Sequence, residues 1–383
     1  VVRCGTAGRA GKPSDSPCCR RAVASRRQLS PVCRLSGQSD ENPRGIASGT
    51  LTGVSTPSQD PEFAASATLD PAPVLAHVVR SGTVESVHHG TAVVTAADGS
   101  IARAWGDPTG LVFPRSANKP LQALAMVELG LDLPGPQLAL ACASHSGEQF
   151  HLDRALEILH TAGLRESDLR NTPDYPYDEG TKIEWLQDRK PMTSLAQNCS
   201  GKHAAMVVTS AAHGWSLPDY LDADHPLQQA ITATIERLAG PVGALAVDGC
   251  GAPLHGIPLA GLARAFGALA SADPTSAPGR VATAMRDYPD HVGGPGRQVT
   301  RLMRALPGAV AKDGAEAVYA VGLADGRGIA LKIADGAWRA AGVVLGAVLR
   351  AEGIGDDTVW ELLGDAPVFG HGRPVGSVVA VGI

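Results

Sequence analysis

The pattern of apolar residues changes twice along this chain, and the resulting order of elements restricts the folds open to it. From residue 74 and again after residue 317, apolar residues occur in short stretches typical of strands, with hairpin signals at Ala97-Asp98-Gly99 and Ala324-Asp325-Gly326. Between these regions the apolar spacing is helical. No strand–helix alternation occurs. The order predicts an α+β fold, with an antiparallel sheet from both chain ends and a helical region packed against it.

The predicted elements follow from these spacings. Strands are predicted over residues 74–80, 89–94, 101–105, 317–323 and 328–333. Helices are predicted over residues 121–127, 152–159, 202–212, 226–238, 258–270, 280–286, 297–305 and 338–349.

Residues 1–71 differ from the rest of the chain. They are rich in Arg, Ser, Gly and Pro and show no sustained period, so they cannot bury enough apolar surface to offset the entropy of ordering. They lack the apolar stretch of a secretory signal, although their composition resembles an organelle transit peptide. We expect residues 1–71 to be a disordered or non-native extension and residues 72–383 to form the folded domain.

Composition excludes several classes of protein. The chain has 383 residues, 44% hydrophobic content, a net charge of −5 and a pI near 6.2, so we expect neither nucleic acid nor a membrane surface as partner. It contains no apolar run of the length that spans a bilayer. Its seven cysteines are sparse and odd in number, which argues against a disulfide framework and for a reducing, cytoplasmic location. Cys142 lies in an apolar run and is expected to be buried.

Ser116 and Lys119 place a hydroxyl and an amine on one face of a predicted helix start. A serine becomes a nucleophile when a base takes its proton, and lysine can do so only when neutral, far below its ordinary pKa of about 10.4. Burial, or positive charge such as that of Arg115, favours the neutral form. The pattern alone is equally compatible with a solvated helix start.

A second hydroxyl and a second lysine are also candidates. Ser144 follows an apolar run and precedes a helix, where small polar residues often line a site, although Ser146 beside it suits a helix cap equally well. Lys312 precedes a small-residue turn into the second hairpin. Lys332 alternates with apolar neighbours, which is typical of a solvent-facing strand position. We therefore prefer Lys312.

Two cysteines and a lysine form a candidate metal site. Cys199 and Lys202 share a face of a predicted helix start, and Cys250 lies in a turn too rich in glycine for a packing cysteine. Two thiolates satisfy part of a tetrahedral zinc site, and a third ligand would leave one position for water. Lysine is an unusual ligand because it must be neutral.

Five segments together resemble the asparaginase II family, the rhizobial-type (class 3) L-asparaginases. They occur in the family's order, and the resemblance covers about residues 72–383, with Ala317 standing where the family more often has glycine. The segments are Pro114-Arg115-Ser116-Ala117-Asn118-Lys119-Pro120, Ser144-His145-Ser146-Gly147-Glu148, Cys199-Ser200-Gly201-Lys202-His203, Asp248-Gly249-Cys250-Gly251-Ala252-Pro253 and Lys312-Asp313-Gly314-Ala315-Glu316.

The resemblance implies a serine β-lactamase-like fold and hydrolysis of L-asparagine to L-aspartate and ammonia. It implies two Ser-Lys pairs, a zinc site and a substrate pocket, and a homodimer is compatible with the apolar helices. The pairs are Ser116 with Lys119 and Ser144 with Lys312; the zinc ligands are Cys199, Lys202 and Cys250; the pocket residues are Arg115, His203 and Asp248. The nucleophilic serine and the preference for asparagine over glutamine stay open.

Two other functions are compatible with parts of the pattern. A penicillin-recognising transpeptidase or β-lactamase would use Ser-x-x-Lys with a distant Lys-x-Gly, but it would not need the cysteines, and no export signal is expected here. A non-catalytic, zinc-stabilised binding module would lose its fold on chelation and consume no substrate.

Overall fold

The computed structural model describes residues 68–383. The predicted extension therefore lies outside the described residues, apart from residues 68–71. Thr68 is buried, and its carbonyl oxygen accepts a hydrogen bond from Thr91 Oγ1 at 2.9 Å. Ala72 O is likewise 2.8 Å from His89 Nδ1. The first described residues thus pack against the sheet.

A large antiparallel sheet joins the two ends of the described chain. Its strand order is β10-β11-β1-β2-β9-β8-β7, and β3 pairs with β2. Ala76 lies opposite Ala380, and Gly90 lies opposite Ile333. The strands are β1 (Val74–Arg80), β2 (Thr83–Thr95), β3 (Ile101–Trp105), β7 (Val310–Gly314), β8 (Val318–Gly322), β9 (Gly328–Ile333), β10 (Pro367–Gly370) and β11 (Arg373–Ala380).

A small antiparallel sheet has the order β4-β6-β5. Its strands are β4 (Leu111–Val112), β5 (Ala244–Val247) and β6 (Pro253–Pro258). The chain passes from β4 toward the first helix and from β5 into the turn that carries Cys250. Both strands are antiparallel to β6, so the two conspicuous segments leave the sheet at the same end.

The helices fill the middle of the chain and its last third. Two 3₁₀ turns, Arg115–Asn118 and Glu166–Asp168, accompany them. The helices are α1 (Lys119–Glu128), α2 (Gly135–Ala141), α3 (Gln149–His160), α4 (Glu179–Gln187), α5 (Ser200–Ala212), α6 (Pro226–Ala239), α7 (Leu259–Ala270), α8 (Ala277–Asp287), α9 (Pro289–Val292), α10 (Gln298–Ala305), α11 (Trp338–Ala351) and α12 (Asp357–Gly364). None of the helices within residues 68–383 is long and apolar enough to cross a bilayer.

Every residue of β7, β8 and β9 is buried, which shows that both faces of this part of the sheet are covered. Helix α7 lies against β8 and β9 at close range. A Cβ atom on Gly322 would lie 1.9 Å from Phe266 O, and one on Gly328 would lie 1.8 Å from Ala263 O. Larger residues at these positions would separate the helix from the sheet.

The α+β prediction, with a sheet from both chain ends, is confirmed. The eight helices predicted from apolar spacing correspond to α1, α3, α5 to α8, α10 and α11. Helices α2, α4, α9 and α12 have 4 to 9 residues and were not predicted. Helix α10 was predicted with only eight residues, because Val299, Leu302 and Met303 give it a helical apolar spacing. Lys312 lies within β7 and precedes the turn into β8, as predicted, although β7 itself was not predicted. Cys142 is fully buried, as predicted.

Candidate active site

The 3₁₀ turn that leads into α1 is pressed against β7. Arg115 has a φ of +51°, a left-handed conformation that costs a non-glycine residue about 1 kcal/mol or more. Gly314 of β7 permits the approach, since a Cβ atom there would lie 2.2 Å from Pro114 O. Lys119 is consequently buried at the first position of α1, whereas Ser116 stays partly exposed.

The Lys119 ammonium is bound where the chain leaves α2. Its Nζ donates to Ala143 O at 2.5 Å and to Ser144 Oγ at 3.0 Å. Carbonyl groups after a helix end lack helical partners and favour a cation. Side chains also tilt toward the helix N-terminus, so Lys119 extends beyond the start of α1. The hydrogen bond therefore joins Lys119 to Ser144, whereas the sequence pairs it with Ser116.

The backbone around Ser144 is fixed on both sides. Ser144 N donates to Val292 O at 3.0 Å, and His145 N donates to Asn198 O at 3.1 Å. His145 Nε2 lies 2.9 Å from Ser200 Oγ. These bonds hold Ser144 between the end of α9 and the start of α5, where Cys199 is found.

Lys312 reaches Ser144 only through two intervening residues. Its Nζ donates to Asp313 O at 2.7 Å and to the Asp313 carboxylate, which also forms an ion pair with Arg297. Arg297 Nη1 donates to Ser144 O at 3.4 Å. Burial lowers the pKa of Lys312 to about 8, although the Asp313 carboxylate opposes this shift. The hydrogen bonds do not join Lys312 directly to Ser144, as the sequence-based pairing expected.

Two of the predicted pocket residues form an ion pair. Arg115 Nε lies 2.7 Å from Asp248 Oδ1, and both side chains are largely buried. The same carboxylate oxygen accepts from Gly249 N at 2.8 Å, and Gly251 closes the turn with a φ of +89°. The strained residue before Ser116 is thereby tied to the turn that carries Cys250.

Cys199, Lys202 and Cys250 lie together beneath this turn, as predicted. Both thiols are free and buried, and Lys202 Nζ lies 3.2 Å from Cys250 Sγ. A hydrogen bond from Cys199 and the Lys202 charge hold the pKa of Cys250 well below its usual range. Burial alone would lower the pKa of Lys202, but the Cys250 and Cys199 sulfurs together with Asp248 raise it. Both shifts favour an ammonium on Lys202 and a thiolate on Cys250.

His203 packs beside the thiols. Its Nδ1 lies 2.8 Å from Tyr220 Oη, which accepts a hydrogen bond from Arg170 N, and the ring also interacts with the Cys250 thiol. Burial, followed by the Lys202 charge, lowers the pKa of His203 to about 4. His203 is therefore neutral near pH 7.

Lys119 connects the two halves of the site. Its positive charge acts on the pKa of Lys312 on one side and on those of Cys199 and His203 on the other. The predicted site residues therefore meet in one region at the sheet edge. They come from α1, the segment after α2, the start of α5, the turn after β5, and β7.

The thiol cluster is chemically suited to zinc. Thiolates are preferred zinc ligands, and the His203 ring lies beside the Cys250 sulfur. Within the described part of the chain, no group of three or more His, Cys, Asp or Glu residues is placed to hold a metal ion. A zinc site here would need Lys202 as its third protein ligand, so zinc stays a prediction.

The structure differs from the sequence-based expectation at Lys332 and adds two residues to the site. The solvent-facing interpretation of Lys332 is wrong, because the residue is 7% exposed and its Nζ donates to Glu316 O and Ile333 O. Sequence reasoning also missed Arg297 and Asp313. The only signal for Arg297 was the glycine- and proline-rich stretch before it, and Asp313 was conspicuous only as the neighbour of Lys312.

Serine hydroxyls beside buried lysines are typical of hydrolases that act on acyl groups through a serine. A family model described as L-asparaginase II matches residues 76–380. The chain belongs to the L-asparaginase II family and is an amidohydrolase.

Comparison with solved structures gives a weaker likeness. A structure described as a putative beta-lactamase from Bacteroides dorei DSM 17855 is 15% identical to this chain, with a TM-score of 0.37. The match covers 68% of this chain and 93% of that chain. This likeness is too low to carry an argument, and the α+β assignment rests on the sheet itself. No curated protein matches the chain.

Proposed function

We propose that the protein hydrolyses L-asparagine to L-aspartate and ammonia through serine–lysine chemistry. The observation that carries the proposal is the 3.0 Å contact between Lys119 Nζ and Ser144 Oγ, in a chain of the L-asparaginase II family. A buried amine at this distance from a hydroxyl can take its proton when the amine is neutral.

The proton transfers balance without a further reactant. Neutral Lys119 takes the proton of Ser144 Oγ, and the oxygen attacks the side-chain amide carbon. Lys119 then returns the proton to the leaving nitrogen, so that ammonia departs and an acyl ester remains on the serine. Lys119, neutral again, takes a proton from the water that attacks the ester and passes it to Ser144 Oγ as L-aspartate leaves. Ser116, partly exposed on the turn before Lys119, is the second candidate nucleophile.

The surroundings favour the negative charge that forms on the amide oxygen during attack. Arg115 and Lys312 contribute positive charge, and each is already fixed by a partner. Fixed charges need little reorganisation as the oxyanion develops. Asp248 and His203 are proposed to line the pocket on the thiol side.

A zinc ion would be held by Cys199, Cys250 and the neutral form of Lys202. When bound, it would supply positive charge that orients the substrate and disfavours protonation of nearby lysines. Metal analysis of the purified protein tests this assignment. We expect zinc in the wild type and only background zinc in Cys250→Ala; equal zinc contents would contradict it.

Ammonia release from L-asparagine tests the function, with L-glutamine and nitrocefin as comparison substrates. We expect selective release from L-asparagine and a loss of about 10³-fold or more in kcat for Ser144→Ala and for Lys119→Met. Ser146→Ala is the matched control, because its hydroxyl bonds to Gly293 O and not to a lysine. Mass spectrometry of an acylated enzyme would distinguish Ser144 from Ser116. Full turnover in both Ser144→Ala and Ser116→Ala would reject the mechanism.

A further inference from the structure

Arg297 is the cation nearest to Ser144 that neither the sequence motifs nor the proposed chemistry uses. It precedes α10, and its Nη1 lies 3.4 Å from Ser144 O. Its guanidinium also forms an ion pair with Asp313. The Tyr177 ring lies on one face of it, with 4.6 Å between Arg297 Cζ and the ring centroid. Three contacts therefore fix the plane of the guanidinium.

The Arg297 guanidinium can still donate hydrogen bonds to a further partner. Arginine has five N–H donors, and hydrogen bonds within residues 68–383 use one on Nη1 and one on Nη2. The side chain keeps 21% of its surface exposed, so solvent or a ligand reaches it. Asp313 is shared with Lys312, so the carboxylate does not neutralise Arg297 alone. A planar fork with free donors suits a carboxylate.

The distance from Ser144 suits the α-carboxylate of an amino acid. In L-asparagine two carbon atoms separate the amide carbon from the carboxylate carbon, a span of about 4 Å. An amide carbon about 3 Å from Ser144 Oγ is in attack position. The carboxylate then falls within reach of a guanidinium that contacts the carbonyl group of the same serine.

We propose that Arg297 binds the α-carboxylate of the substrate and thereby selects amino-acid amides over simple amides. This inference rests on the proposed function and adds the residue that recognises the non-reacting end of the substrate. Tyr177 and Asp313 are positioning residues, since they hold the guanidinium without touching the substrate. Arg115 is the other arginine that could bind the α-carboxylate of the substrate, but its Nε already donates to Asp248.

The test compares L-asparagine with 3-aminopropanamide, the same amide without the α-carboxylate. In Arg297→Gln we expect KM for L-asparagine to rise about 10- to 100-fold, the usual effect of losing a charge-assisted hydrogen-bonded partner. We expect kcat/KM for 3-aminopropanamide to change less than about 3-fold. Succinamate, which keeps the carboxylate and lacks the amine, should lose affinity like L-asparagine.

Control variants separate binding from stability. Arg301→Gln removes an exposed arginine one turn along α10 and should leave both substrates unaffected. If Arg297→Gln does not fold because Asp313 loses its partner, the double variant Arg297→Gln/Asp313→Asn removes both charges. Arg115→Gln is measured in parallel.

The two hypotheses fail in different ways. A wild-type protein that releases no ammonia from L-asparagine rejects the proposed function. An active wild type in which Arg297 variants lose equal factors on both substrates rejects the role of Arg297. Carboxylate-selective loss in Arg115→Gln alone would also overturn it, since it would move the role to Arg115.

Discussion

Asp313 connects three of the site's charged groups through one carboxylate. Oδ1 faces Lys312 and Oδ2 faces Arg297, which in turn contacts the backbone of Ser144. Although burial opposes its charge, Lys312 and Arg297 hold the pKa of Asp313 well below its usual range, so it stays ionised. Asp313 therefore couples the charge state of Lys312 to the position of Arg297.

The pH dependence of turnover follows from Lys312, whose positive charge is proposed to stabilise the oxyanion. Burial lowers its pKa to about 8, so the neutral form dominates at higher pH and kcat/KM should fall above that value, by at most about tenfold per pH unit. Asp313→Asn removes the carboxylate that raises the pKa of Lys312, so the alkaline limb should move to lower pH. Pre-steady-state or steady-state profiles between pH 5 and 10 measure this.

A remote carboxylate provides the control for this profile. Asp325→Asn breaks an exposed ion pair with Arg327 and should leave the alkaline limb in place. An unchanged limb in Asp313→Asn, or one displaced to higher pH, would show that Lys312 does not set the profile.

At the scale of elements, the approach of α5 to α2 positions the thiols relative to Ser144. Gly201 makes this approach possible, because a Cβ atom there would lie 2.4 Å from Leu140 Cγ and 2.6 Å from Leu140 O. Cys199 and Lys202 flank this contact on either side. The spacing of the two helices therefore depends on a residue of the segment that carries Cys199 and Lys202.

Gly201→Ala tests that spacing. The added methyl group meets backbone as well as side chain, so α5 must move, and we expect a loss of about 1–3 kcal/mol in the free energy of unfolding together with reduced activity. Gly364→Ala is the matched control, since nothing lies within 4 Å of a Cβ atom there. Urea unfolding of both variants measures the difference, and equal stabilities would refute the close-contact argument.

Element lengths also explain which parts of the fold were predictable. Helices of ten residues or more, such as α5 and α6, show enough periodicity to be recognised in sequence. Helix α4 buries none of its nine residues, so it has no apolar face to detect. The strands of the small sheet, β4 to β6, have 2 to 6 residues and depend on partners distant in sequence.

At the scale of the whole molecule, the start of the folded unit can be located by truncation. A chain that begins at Thr68 keeps the buried threonine and its bond to Thr91, whereas one that begins at Ala72 loses both. We expect both chains to be active, and the second to be less stable by about 1 kcal/mol or more.

Urea denaturation and ammonia release measure both truncated chains against the full chain. Equal stabilities would place the boundary at residue 72, as the sequence composition predicts. Loss of activity in both truncated chains would assign a role to the preceding residues and contradict their interpretation as a dispensable extension.

The class of fold and the set of reactive groups could be predicted from the amino-acid sequence alone. The spacing of apolar residues is a local property of the chain, so it predicted strands at both ends and helices between them. The motifs indicated the serines, lysines and cysteines. The prediction of an amidohydrolase is confirmed by the family match.

Which of these reactive side chains contact one another depends on tertiary packing. Lys119 bonds to Ser144 instead of Ser116 because its ammonium, once buried, takes the free carbonyl after α2. Lys332 is buried against two carbonyl groups instead of facing solvent. Arg297 reaches Ser144 from 153 residues away in the chain. Such contacts depend on how elements distant in sequence pack and on where a buried charge finds a partner, and neither is encoded in local spacing.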